Sequence, residues 1–158
     1  MSNRVCGGCT ACCKVFPILS IRKPGGEWCP KCDIGKGCRI YNSRPVECVD
    51  YLCLWRQGLD TEEDRPDKRK VLVEHARIAA IGGAYALIFW EVSVGGLDSA
   101  YIQNMSRRLR RNLKPYAYVY LTKRQTVYLP VSFPITPVIR SNLERDKVEL
   151  ETYLTIAA

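Results

Sequence analysis

Residues 6–13 read Cys6-Gly7-Gly8-Cys9-Thr10-Ala11-Cys12-Cys13. The remaining cysteines follow as Cys29-x2-Cys32-x5-Cys38-x9-Cys48-x4-Cys53, so that all nine lie in the first third of a 158-residue chain. This segregation points to thiolate chemistry as the organiser of the N-terminal part. A C-x2-C turn lets two sulfurs converge on one metal ion at about 2.3 Å, and two such turns complete a tetrahedron. The rival reading is a disulfide framework of the kind that staples small secreted domains. Three features oppose it. No apolar run suited to a secretory signal precedes Cys6, a chain of this length can bury a core without crosslinks, and an odd cysteine count leaves one thiol unpaired. Metal ligation in a reducing, cytoplasmic setting is therefore the expectation.

Sulfur-rich and histidine-poor ligation selects zinc or an iron–sulfur cluster over magnesium, calcium or copper(II). Zinc in two complete tetrads would use eight of the nine cysteines. The run Cys6-x2-Cys9-x2-Cys12 also matches the first three ligands of a bacterial ferredoxin, although Cys13 then follows at once. Candidate metal ligands are Cys6, Cys9, Cys12, Cys13, Cys29, Cys32, Cys38, Cys48 and Cys53. If residues 9–16 are helical, Cys9 and Cys13 share a side and Cys12 lies round the helix, so adjacent cysteines face different neighbours.

The sole histidine, His75, excludes most histidine-based catalytic and metal sites, and no GxGxxG, Walker or GxSxG run occurs. Catalysis is left open; if the chain is an enzyme, a metal or a thiol carries the reaction. The formal charge of +8 counts protonated thiols. Each four-cysteine zinc site would remove about two charges, which weakens the case for a nucleic-acid partner. No apolar stretch approaches the roughly eighteen residues that span a bilayer, so no membrane role is expected.

Residues 1–57 form the cysteine-rich metal-binding module, 58–70 an exposed charged connection, and 71–158 an α+β part. The whole is expected as an α+β fold in which the module packs on a small mixed or antiparallel sheet with two helices. Strands are expected on both sides of Gly82-Gly83, with a helix from Asp67 to Ile81 as the alternative reading. A helix begins at Asp98 and carries Ile102, Met105, Leu109 and Leu113, with Arg107, Arg108, Arg110 and Arg111 on its other face. Residues 116–122 and 126–131 alternate as a hairpin, and Ser141-x-x-Glu144 reads as a capping box opening a last helix through Leu143, Leu150 and Leu154.

The cysteine run, taken with Gly37-Cys-Arg-Ile-Tyr-Asn-Ser-Arg-Pro-Val-Glu-Cys48, resembles the YkgJ-type cysteine-cluster family, described as a zinc- or iron-chelating domain. The resemblance is strong over the first third and extends weakly through Arg65-Pro66-Asp67-Lys68. It implies metal ligands at Cys6, Cys9, Cys12, Cys13, Cys29, Cys38 and Cys48, with Cys32 and Cys53 extra to the shortest pattern. Tyr41, Arg44 and Pro45 belong to the same signature, and Arg44 is a candidate donor of hydrogen bonds to coordinated sulfur. Zinc held as a structural centre, in a protein that binds a protein partner, is the first functional expectation. An iron–sulfur redox or modifying enzyme is the second, and nucleic-acid binding through the arginine face and the tyrosine hairpin the third.

Overall fold

The computed structural model describes residues 4–58, 61–97, 100, 104, 117–121, 125–130 and 133–153. The expected helix from Asp98 lies outside these residues except for Ala100 and Asn104, both helical, so its arginine face is not described. The chain divides into two compact units: residues 1–73 with 91–96, and residues 74–90 with 97–158. Helices and a mixed sheet give the α+β character expected.

The first unit is mostly turns and short elements: helix α1 (Ala11–Val15), the two-residue ladder β1 (Cys32–Asp33) with β2 (Gly37–Cys38), helix α2 (Val46–Asp50) and helix α3 (Pro66–Arg69). A five-residue helix is unstable on propensity alone. Helix α1 is held by burial of Ala11 (1 % exposed) and Val15. Residues 62–69, placed by sequence within an exposed connection, are locally ordered. Thr61 and Asp64 form a capping box, Pro66 opens α3 and is buried, and Arg65 clamps Asp67 at 2.7 and 3.0 Å. Trp55 is buried with its Nε1–H donating to the Thr61 carbonyl at 3.0 Å.

Strands β3 (Val71–Ile78), β4 (Ala84–Glu91), β5 (Ala117–Leu121), β6 (Gln125–Pro130) and β7 (Glu149–Tyr153) form one sheet in that order. The strand reading around Gly82-Gly83 is therefore the one adopted, and of the helical alternative only the turn of α3 and a 3-10 turn at Ala79–Ile81 are found. Both glycines have positive φ, at 71° and 76°, which a side chain resists at this turn. β5 and β6 pair antiparallel, as the alternation predicts, whereas β4–β5 and β6–β7 are parallel. The continuous buried run Ala86–Phe89 is what a strand covered on both faces requires.

The last helix differs from expectation. Helix α4 spans Pro137–Arg145, capped by Thr136, whose hydroxyl accepts from the Ile139 N–H at 3.3 Å. Ser141 and Glu144 lie inside it and open nothing. Leu150 belongs to β7, and Leu154 lies outside the described residues. Proline at the first helical position behind a threonine cap is the stronger start signal, because proline's missing N–H costs nothing there. Ile139 and Leu143, one turn apart on α4, close a core with Ala80, Ile81, Ala86 and Ile88. His75 is exposed on β3 and lies against the Tyr85 ring at 4.8 Å, a structural placement.

Candidate metal centre

Main-chain hydrogen bonds fold the cysteine segment into a set of turns. Cys9 N–H donates to the Cys6 carbonyl at 2.8 Å, Cys13 to Thr10 at 3.0 Å, Cys29 to Cys13 at 3.0 Å and Cys32 to Cys29 at 3.0 Å. The third of these ties the first cysteine run to the second. Gly8 makes a close approach: a Cβ there would meet the Gly35 carbonyl oxygen at 2.7 Å, so only glycine lets the Cys6–Cys9 turn sit against the 35–37 loop. Thr10, 3 % exposed, fastens the same contact by accepting from Gly35 N–H at 3.2 Å.

Eight of the nine cysteines line one cavity of about 140 Å³: Cys6, Cys9, Cys12, Cys13, Cys29, Cys38, Cys48 and Cys53. Cys32 is the exception, yet it adjoins the rest through a hydrogen bond shared with Cys13. Phe16 and Tyr51, rings 4.6 Å apart, contribute to the apolar wall. All nine sulfurs are free thiols, Cys29 and Cys53 buried and the others half-buried.

Two groupings emerge. Cys13 interacts with Cys12 and Cys32, and Cys48 feels the charges of Cys13, Cys29 and Cys38. These six form one group. Cys6 and Cys9 bound a single turn, Cys53 feels the charge of Cys6, and the charge of the Asp67 carboxylate acts on the Cys9 thiol. Asp67 was not singled out by sequence, and nothing short of the fold brings α3 to Cys9. The weak likeness over residues 65–68 is the signal that marked the segment.

The surroundings of five of the thiols favour their protonated form. Burial, with the Asp67 carboxylate adding, pushes Cys9 up to about 12. Burial and the neighbouring Cys13 take Cys32 to about 12. The hydrogen bond with Cys12, then burial, raises Cys13, and burial raises Cys48 and Cys53. A soft cation bound by these sulfurs would have to displace these protons.

Cations are already in place. Lys23, 4 % exposed, donates to the Phe16 and Lys14 carbonyls at 2.5 and 2.8 Å, and the charges of Cys29, Cys13 and Cys12 oppose the lowering that burial imposes on its ammonium. Arg44 lies on the cavity wall with its guanidinium 3.9 Å over the Tyr41 ring, and its buried Nε–H has no hydrogen-bond partner. An orphaned buried donor costs about 1–3 kcal/mol, which a negatively charged sulfur opposite it would offset. Lys31 N–H already donates to the Cys29 sulfur at 3.4 Å. The donor set therefore suits a thiolate-ligated metal group. Among the described residues, no three histidine, cysteine, aspartate or glutamate side chains are drawn together closely enough to grip a single ion as they stand.

No family model matches the chain, and neither a curated protein nor a solved structure does. Among the described residues no helix is long and apolar enough to cross a membrane.

Proposed function

We propose that the chain is a metalloprotein of the iron–sulfur class, with the cluster in the cysteine cavity and held mainly by the group around Cys12, Cys13, Cys29, Cys38 and Cys48. One observation supports this choice over a single zinc ion: eight thiols line one cavity of about 140 Å³, and among the described residues no three of them stand at single-ion distance. Around one zinc ion, sulfurs stand roughly 3.8 Å apart, the spacing that bonds of about 2.3 Å impose on a tetrahedron, and almost no free volume remains between them. A cavity of this size compares with the ~150 Å³ that admits a benzene molecule. Irons bridged by sulfide fill such a space and let cysteines on its walls ligate from further apart. The resemblance to a zinc- or iron-chelating family accords with either metal.

When bound, the cluster supplies one-electron chemistry. The chain's residues do the rest. The main-chain turns set where each sulfur stands. Arg44 and Lys23 place positive charge beside the thiolates, Arg44 as a hydrogen-bond donor and Lys23 as a buried ammonium. Phe16, Tyr51 and the other apolar lining residues limit water. The role that follows is electron transfer or a redox step on a partner.

Anaerobic purification followed by iron, sulfide and zinc analysis and an absorption spectrum tests this. A brown protein with iron and acid-labile sulfide in stoichiometric amounts is expected. A colourless protein carrying zinc alone would overturn the iron–sulfur reading and restore structural zinc.

A further inference from the structure

We infer that the solvent side of helix α2, with Leu19 beside it, is the docking face for an acidic electron-carrier protein; this rests on the iron–sulfur reading and assigns that centre a partner. Helix α2 divides its residues between two surroundings. Successive helical residues turn by about 100°, so Glu47, Cys48 and Tyr51 fall on one side and Val46, Val49 and Asp50 on the other. The first three line the thiol cavity, whereas the second three are exposed, Val46 at 64 % and Val49 at 50 %. Leu52, just past the helix, is exposed as well. Leu19, 79 % exposed, is fastened to the same helix, because the Ser20 N–H and hydroxyl each donate to a Glu47 carboxylate oxygen at 3.1 Å. Four exposed aliphatic side chains around one helical turn differ from the scattered single residues of an ordinary surface.

Charge chooses the occupant. Residues 4–58 hold nine lysines and arginines against four aspartates and glutamates. Of the charged side chains lining the cavity, Lys31, Arg44 and Arg56 are cationic, while the carboxylate of Glu47 is already committed to Ser20. Arg22, exposed, closes the turn that carries Leu19. A second copy of this chain would bring the same excess of positive charge to the face and be repelled, whereas an acidic protein is attracted and the aliphatic side chains give it apolar surface to bury. An anionic membrane fits less well, because Asp50 stands beside Val46 on the face that would enter the lipid, where a carboxylate is costly. A partner seated on α2 lies about one helix diameter, roughly 10–12 Å, from the wall that bears Cys48. One electron leaves the carrier's reduced iron–sulfur or flavin group and reduces the cluster by one, with no bond made or broken and no proton required.

The test uses the full chain purified anaerobically, with iron, sulfide and zinc measured on every sample, and a purified acidic ferredoxin as the probe. Calorimetry gives the affinity at two salt concentrations, and stopped-flow absorbance follows reduction of the chain by the pre-reduced ferredoxin. Sedimentation of the chain alone and with phosphatidylserine vesicles examines the other two occupants. The variants are Val49→Asp and Val49→Lys on the face and Val138→Asp at an exposed position of α4. Wild type is expected to bind, with affinity falling about ten-fold between roughly 0.01 and 0.1 M salt as charge is screened. Val49→Asp is expected to weaken binding and slow reduction by about ten-fold or more, and Val138→Asp to stay within about two-fold of wild type. Val49→Lys removes the same methyl groups and keeps the sign of the face, so it is expected to lose less, and that difference reads charge rather than folding. Affinity equal to wild type in Val49→Asp overturns the face, as does no binding at low salt. A dimer of this chain, or vesicle binding, that Val49→Asp abolishes overturns the choice of partner. Ferredoxin binding that depends on Val49 in a protein holding zinc and no iron upholds the face and removes the cluster; a brown protein whose binding and reduction ignore Val49 removes the face and leaves the cluster.

Discussion

The Arg44 guanidinium lies 3.9 Å over the Tyr41 ring while its Nε–H points to no acceptor, on the wall of a cavity lined by eight thiols. The ring fixes the plane of the guanidinium and leaves that donor available for an acceptor, which sulfur of the proposed cluster would supply. Hydrogen bonds to cluster sulfur stabilise the more negative, reduced form. Arg44→Lys keeps the charge and removes the planar donor. It is expected to lower the reduction potential by on the order of 50 mV, close to the 59 mV of a ten-fold one-electron change. Redox titration of the two proteins checks this; equal potentials would remove Arg44 from the centre.

Lys23 is a buried ammonium whose donors satisfy the Phe16 and Lys14 carbonyls. Lys23→Met leaves both acceptors without that partner, at a cost of about 1–3 kcal/mol. Urea denaturation should show the loss, whereas Lys36→Met, at an exposed position, should stay within about 0.5 kcal/mol of wild type.

Removal of the proposed metal by an anaerobic chelator should act unevenly. Amides of residues 9–53, whose order rests on turns and thiols, are expected to lose exchange protection. Those of Ile81 and Ala86–Phe89, secured by an apolar core and sheet pairing, are expected to keep theirs. Unchanged protection at residues 9–53 after verified metal loss would contradict the metal's part in folding.

Asp64 offers a pH test at a carboxylate whose partners are oxygen and nitrogen donors. Burial alone would raise its carboxyl, but hydrogen bonds from Thr61 N–H (2.9 Å) and hydroxyl (2.8 Å), with Arg69 at 3.2 Å, outweigh burial and hold it below the ordinary carboxylate range. A depressed folded value means stability that is present above the unfolded pKa of about 3.9 and lost as pH falls through the folded one. The difference in urea midpoint between wild type and Asp64→Asn should be constant from pH 7 to about pH 5 and shrink below about pH 4. A difference that persists undiminished at the lowest pH would mean that the carboxylate charge is not the cause.

Local patterns made part of this fold readable. The β5–β6 hairpin follows from period-two alternation about a short turn, and the strands beside Gly82-Gly83 from apolar runs broken by two glycines. The cysteine spacing gave C-x2-C turns that the main chain does form. What sequence reading lost depends on distant partners. Ser141-x-x-Glu144 has the composition of a capping box, but Thr136-Pro137 had already started the helix, and Leu150 went to a parallel strand whose partner β6 lies about twenty residues earlier. Asp67 was one more charge in a polar stretch until the fold brought its carboxylate to the Cys9 thiol. The cavity was equally illegible, since spacing says which sulfurs share a turn and nothing about the volume enclosed between turns.

The bonds that set the cysteine turns run between main-chain groups: Cys9 to Cys6, Cys13 to Thr10, Cys29 to Cys13 and Cys32 to Cys29. Side-chain identity between the cysteines enters at Gly8, at Thr10 and at the buried Ala11, Val15 and Lys23. Drift at the other intervening positions leaves the sulfurs where they are, while a single insertion or deletion inside a turn moves them. Descendants of this chain would therefore keep their intervals longer than their letters, and kinship would be legible in the counting of residues where similarity of residues has already faded.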